Sequence, residues 1–164
     1  QGGLSIFDWT DPARPFEIAY FDRGPFRAQG AHNMAGSWSA YWYNGVIVSS
    51  EIARGLDIFE LVPSAHISQN EIDAAKSFKL DYLNTQGQPK FVWPASPALA
   101  KAYLDQLERS KGLPSGQISA ARKAIDAGDK EAMSKLAGDM AGAAKGADAG
   151  KVQKLAATLK DLAK

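Results

Sequence analysis

Apolar and polar positions along the chain follow two different periods, and the change between them falls near Pro94. In the first part the period is two. Leu4, Ile6 and Asp8 alternate with Ser5, Phe7 and Trp9, which predicts a strand that stops at Asp11-Pro12. Pro15 opens a second strand over Phe16 to Phe21, and Asp22-Arg23-Gly24-Pro25 ends it. Residues 24–36 contain Gly, Pro and Asn and read as a loop. Two β-rich runs, 38–43 and 46–49, then flank Asn44-Gly45. That dipeptide is the strongest short hairpin signal, because a type I′ turn needs positive φ at both central residues. A further strand, Leu56 to Leu61, follows Gly55.

The character first changes near Pro63, ahead of the full switch to helical spacing beyond Pro94. Ser68-Gln-Asn-Glu71 is a capping box ahead of Ile72, Ala75 and Phe78, predicting a short helix over about 69–78. Residues 79–94 stay ambiguous: 86–89 look like a turn, and Phe91-Val92-Trp93 suits either a strand or an aromatic segment. Ser96-Pro97 is an N-cap with proline at the first helical position, and Leu99, Ala102, Tyr103 and Leu107 share a face behind it. Residues 112–116 break that helix. Ile118, Ala121 and Ile125 mark the next, closed at Ala127-Gly128, and Met133, Leu136, Ala137 and Met140 mark a third. A frayed end plus a loop is expected over 141–150. Val152, Leu155, Ala156, Leu159 and Leu162 form the clearest stripe of all. Stripes so rich in alanine bury little area each, so these helices need one another or a partner for stability.

Composition sharpens this seam. Of the 16 aromatic residues only Tyr103 lies beyond Trp93, whereas 18 alanines lie from Ala95 onward. Residues 1–92 carry 7 Lys and Arg against 10 Asp and Glu, and residues 93–164 carry 12 against 8. The near-neutral total gives no electrostatic case for nucleic acid. No stretch approaches the roughly 20 apolar residues of a membrane helix. Without cysteine there is no disulfide, thiolate metal site or thiol nucleophile, and the compartment stays open. The start at Gln-Gly-Gly, without Met or a leader, points to a processed product or a piece of a longer chain.

Candidate chemistry is sparse. His32 and His66 lie 34 positions apart in predicted loops, without metal-ligand spacing. Asp8, Asp11 and Asp22 could hold calcium or do acid/base work, but turn chemistry explains them more simply, with carboxylates accepting local backbone N–H groups. Trp38, Tyr41, Trp42 and Tyr43 could stack on a sugar or peptide. In alternation Trp38, Ala40 and Trp42 share one face and Ser39, Tyr41 and Tyr43 the other, and a sheet covered on both faces uses both rows for packing. The serines at 49, 50, 64 and 68 sit in no Gly-x-Ser-x-Gly elbow, and no phosphate-binding glycine loop occurs. The lysines of residues 101–164 are interleaved with Asp and Glu, as on a solvated helix face.

Gly3-Leu-Ser-Ile-Phe-Asp8, followed by Asp11-Pro12-Ala-Arg-Pro15, resembles the junction between two LVIVD repeats. The hairpin around Asn44-Gly45 and the closing run Arg54-Gly55-Leu56-Asp57-Ile58-Phe59 resemble the rest of that repeat, and residues 63–110 resemble the tail behind the last one. LVIVD repeats form four-stranded β-propeller blades in secreted or cell-surface proteins. The resemblance implies an α+β chain: a blade with the last strand of a preceding one over 1–62, a connecting segment with a short helix over 63–95, and three to five helices over 96–164. Asp8, Asp11, Pro12, Pro15, Asn44, Gly45 and Gly55 become structural turn positions. One blade leaves exposed edges and a bare apolar face. The missing blades are therefore expected from a precursor or another chain, although the helices could cover the face instead. The implied function is a non-catalytic scaffold or interaction module, extracellular, cell-surface or periplasmic, with a protein partner and no cofactor. The alternatives are the last blade of a propeller hydrolase or oxidoreductase with its active site elsewhere, and a carbohydrate-binding module using the aromatics at 38 and 41–43.

Overall fold

The structure, a computed structural model, describes residues 2–27, 34–143 and 146–164, so His32 lies outside the described residues. The chain is α+β, with two small antiparallel sheets and five helices among the described residues. Strand β1 (Leu4–Asp8) pairs with β2 (Phe16–Phe21). Strands β3 (Ser37–Tyr43), β4 (Val46–Glu51) and β5 (Gly55–Phe59) form a three-stranded meander. Helices α1 (Gln69–Lys76), α2 (Pro97–Arg109), α3 (Ser115–Ala127), α4 (Lys130–Ala143) and α5 (Ala149–Leu162) follow, with one 3₁₀ turn at Thr85–Gly87.

The four strands expected to share one blade over residues 15–61 are divided between these two sheets. β2 pairs backward with β1 rather than forward with β3. Chain entropy favours that choice, because the connection through residues 9–15 is shorter than the one through residues 22–36. The short connection is also preformed. Arg14 N donates to Asp11 O at 3.0 Å and Ala13 N to Asp11 Oδ1 at 3.0 Å, around Pro12 in the favoured second turn position. Residues 91–93 form no strand; Phe91 and Trp93 gather with Phe78, the Phe78 and Phe91 rings lying 4.9 Å apart.

The chain divides into two compact units that interleave in sequence. One holds Gln1–Ile67 and Lys79–Pro89, the other Ser68–Phe78 and Lys90–Lys164. The segment read as a connector is thus shared out, α1 going to the helical unit and the 3₁₀ turn to the sheet unit.

In the helical unit α2 is buried on two sides. Leu99 and Ala102 meet Ala74 of α1, while Leu104 and Leu107 enter the main core with Ile118, Met140, Leu155 and Leu159. Alanines at 100, 121, 124, 137 and 156 line the same core and let the helix backbones come close. The narrow stripes are therefore stabilised by one another. The capping box forms as read: Glu71 N donates to Ser68 Oγ at 3.2 Å and Ser68 N to Glu71 Oε2 at 2.6 Å. The rest of the Glu71 carboxylate takes a two-pronged Arg109 contact from the end of α2, at 2.6 and 2.9 Å. Asp105 joins three helices, accepting from Asn70 Nδ2 at 2.9 Å and Arg122 Nη2 at 2.7 Å. Burial pushes the Asp105 carboxyl up, but hydrogen bonds from Ser68, Asn70 and Arg122 and the Arg122 charge outweigh it and hold it below the usual range.

Leu155 is fully enclosed. Leu155→Ala should therefore cost about 2–5 kcal/mol, measured by denaturant unfolding followed through far-UV circular dichroism.

Candidate functional site

Residues paired across an antiparallel ladder share a face, so the register of the three-stranded sheet sorts its side chains. Tyr41, Val48 and Ile58 stand in line across β3, β4 and β5, with Ser39, Ser50 and Leu56 beside them. The opposite face carries the line Trp42, Ile47 and Phe59, and the line Ala40, Ser49 and Asp57.

These faces are covered unequally. Behind the second face, the Phe21 ring at the end of β2 lies 4.5 Å from Phe59. Arg23 lies over the Phe21 ring at 5.1 Å and forms an ion pair with Asp57. Ser49 is completely buried there. The first face is open: Tyr41 is 46% exposed, Leu56 60% and Ile58 62%. Across it the hydroxyls of Ser39 and Ser50 meet at 2.9 Å.

The four aromatic candidates of β3 do not make one platform. Tyr41 and Trp42 face opposite ways. Tyr43 donates its hydroxyl to the carbonyls of Leu80 and Asp81, both at 3.2 Å. Trp38 sits at a register shift between Ser37 and Ser39, which takes it out of the simple alternation, and it is 74% exposed.

Asp8, Asp11 and Asp22 each accept a local backbone N–H. Thr10 N donates to Asp8 Oδ1 at 2.7 Å and Gly24 N to Asp22 Oδ1 at 3.0 Å, while Asp11 holds its own turn as described. Pro15 stands directly before β2. His66 meets the edge of Phe16, with ring centroids 5.5 Å apart. Among the described residues no group of three His, Asp or Glu side chains could hold a metal ion, and no helix is long and apolar enough to cross a membrane.

Asn44 and Gly45 take the positive φ values of a type I′ turn, 51° and 98°, and Gly55 has φ 96° at the next turn. Asn44 does more than turn the chain. Its Nδ2 donates to Leu80 O at 2.9 Å and its Oδ1 accepts from Leu80 N at 2.7 Å, while Lys79 Nζ donates to Asn44 O at 2.8 Å. One side-chain amide thus ties residues 79–81 to the hairpin tip as a neighbouring strand would.

Glu51, at the end of β4, escaped sequence reading. Its buried carboxylate accepts from Gly36 N at 2.6 Å, from the backbone N–H groups of Ala53 and Arg54, and from the Arg54 guanidinium at 2.9 Å. Burial pushes the carboxyl up, yet the three backbone donors and the Arg54 charge together hold it below its usual range. The available signal was an acidic residue placed two and three positions ahead of turn amides.

No protein-family model, curated protein or solved structure matches the chain.

Two predictions test these ties. Asn44→Gly keeps the positive φ and deletes the amide, so it should cost roughly 1–3 kcal/mol, two hydrogen bonds' worth. Asn44→Asp should cost more, because it sets a carboxylate oxygen against Leu80 O; urea melts of the sheet unit by tryptophan fluorescence compare the two. A carboxyl with a depressed native value stabilises the fold above its unfolded value, and that contribution is lost as pH falls through the native value. Glu51→Gln should therefore lower the melting temperature at neutral pH, and the gap to the parent should close on acidification below about 4.5. The same fluorescence melts, repeated at stepped pH, measure the gap.

Proposed function

We propose that the chain is a non-catalytic interaction module of an exported or cell-surface protein of the LVIVD-repeat kind. In this reading β3–β5 are part of a propeller blade, and further repeats, from the same precursor or another chain, cover the open face. The helical unit serves as its docking end.

One observation carries the reading. Every buried apolar side chain among the described residues belongs to the helical unit, except Ala35. The sheet unit leaves Trp9, Tyr20, Trp38, Tyr41, Leu56 and Ile58 exposed. On β3–β5 the exposed Tyr41 and Ile58 stand in one cross-strand line with Leu56 beside it, and exposed apolar side chains grouped in this way mark an interaction surface. The internal repeat supports it further. Gly3-Leu-Ser-Ile-Phe-Asp and Gly55-Leu-Asp-Ile-Phe-Glu share one pattern, but they bury opposite faces: Leu4 and Ile6 are half-buried in β1, whereas Leu56 and Ile58 are exposed in β5. A motif used on either face suits a sheet stacked between two others.

A tandem chain carrying residues 2–62 twice ahead of residue 63 tests this. Stacked sheets should bind no more 8-anilinonaphthalene-1-sulfonate per molecule than the single chain, and the tryptophan melt should rise. Doubled dye binding with an unchanged melt would sink the reading.

A further inference from the structure

The backbone edge of β5 carries a separate inference, one that needs no view of what covers the sheet's face. Asn44-Gly45 is a two-residue loop, so the flanking pair Tyr43–Val46 exchanges both backbone hydrogen bonds. Bonding alternates along the ladder, which makes Tyr41–Val48 the next bonded pair and directs Val48's backbone groups at β3. Ile58 lies opposite Val48 and Leu56 opposite Ser50, with no register shift in that ladder. The N–H and C=O groups of Leu56 and Ile58 therefore point away from β4. No described strand lies beyond them.

An open edge of this kind is normally guarded by lysine, proline or a bulge. β5 has none of these. Its charged residue, Asp57, is engaged by Arg23 on the covered face. We propose that a second copy of the chain pairs with this edge, β5 to β5 and antiparallel, about a two-fold axis at Ile58.

With a second copy as the partner, the bonding pattern limits the axis. Groups pointing outward at 56 and 58 admit two-fold axes at Leu56, Asp57 or Ile58. An axis at Asp57 sets two carboxylates directly opposite, which is unfavourable. An axis at Leu56 sets Ile58 against Arg54 in the turn. With the axis at Ile58, that residue faces its own copy, and Phe59 faces the second copy's Asp57. The line Tyr41–Val48–Ile58 then runs on without a break through six strands. The contact is self-complementary, as a two-fold interface must be. It is also small, so the dimer is weak and concentration-dependent.

The chain contains no cysteine, so single cysteines read the register directly. Ile58→Cys sets two thiols across the axis at a Cα separation of about 5.5 Å, within the roughly 4.4–6.8 Å that a disulfide spans. Mild oxidation should give a covalent dimer. Leu56→Cys lies about 14 Å from its symmetry mate and should cross-link at least tenfold less. Ile58→Pro removes the outward N–H without touching a bond to β4, and edge strands accept proline. Light scattering over a concentration series should show the parent dimerising and this variant remaining monomeric. If Ile58→Pro fails to fold by tryptophan fluorescence, Ile58→Lys takes its place, setting two ammonium groups across the axis. A parent monomeric up to its solubility limit, a dimer that survives the substitution, or equal cross-linking at 56 and 58 overturns the proposal.

Discussion

A sheet has two faces, and the described residues of the sheet unit cover only one of those of β3–β5. Everything distinctive about the sheet unit follows from that constraint. On the covered side a phenylalanine pair, a stacked arginine and the Arg23–Asp57 ion pair close against the meander. On the open side the line from Tyr41 to Ile58 meets solvent. A three-stranded sheet with one solvated face is ordinary when that face is polar. Here its outer strand carries leucine and isoleucine, which is the pattern of a surface awaiting cover.

With no buried apolar cluster among its described residues, the sheet unit is held by directed polar contacts. Glu51 gathers three backbone amides and a guanidinium, so one carboxylate fixes the start of β3 and the turn into β5 together. Asn44 does the same at the opposite end, pairing with Leu80 across a long gap in sequence. Such contacts specify geometry well but each adds only modestly to stability, since water offers competing partners in the unfolded chain. The helical unit reverses the balance. Its alanines allow close helix approach, its leucines fill the space between, and its ionic contacts among Asp105, Arg122, Glu71 and Arg109 orient helices that burial already holds.

Local signals in the sequence were enough to place the elements. The Asn-Gly hairpin, the Ser68 capping box and the Ser96-Pro97 start all act within a few residues, and each forms where its chemistry says. Pairing between distant segments was not legible. The sequence holds nothing that says β2 turns back to β1, because that outcome compares two loop closures. Nor does it say that 79–89 returns to the sheets, because that rests on the Asn44 amide, the Tyr43 hydroxyl and the Lys79 ammonium meeting across more than thirty residues. The aromatic rows read from alternation hold for Tyr41 and Trp42, and fail at Trp38, where a register shift interrupts the period. Leu104 and Glu51 were missed for related reasons. The first belongs to a second buried side of α2 that one helical stripe does not reveal, and the second is an acidic residue whose partners are backbone groups.

The interleaving of the two units has a mechanical consequence. Helix α1 belongs to the helical unit, yet both of its flanking segments belong to the sheet unit. An eight-residue helix has little stability alone, so α1 depends on Ile72 and Ala74 remaining buried and on the Asn70 and Glu71 contacts to α2. The chain leaves it through Lys79 and Leu80, the residues that Asn44 grips. Loss of the hairpin tip would therefore free one end of the α1 segment, and loss of α1 would free the segment that the tip holds. The stability of α1 and that of the hairpin tip are in this way linked through the chain segment that leaves the helix at Ser77 and is held at residues 79–81.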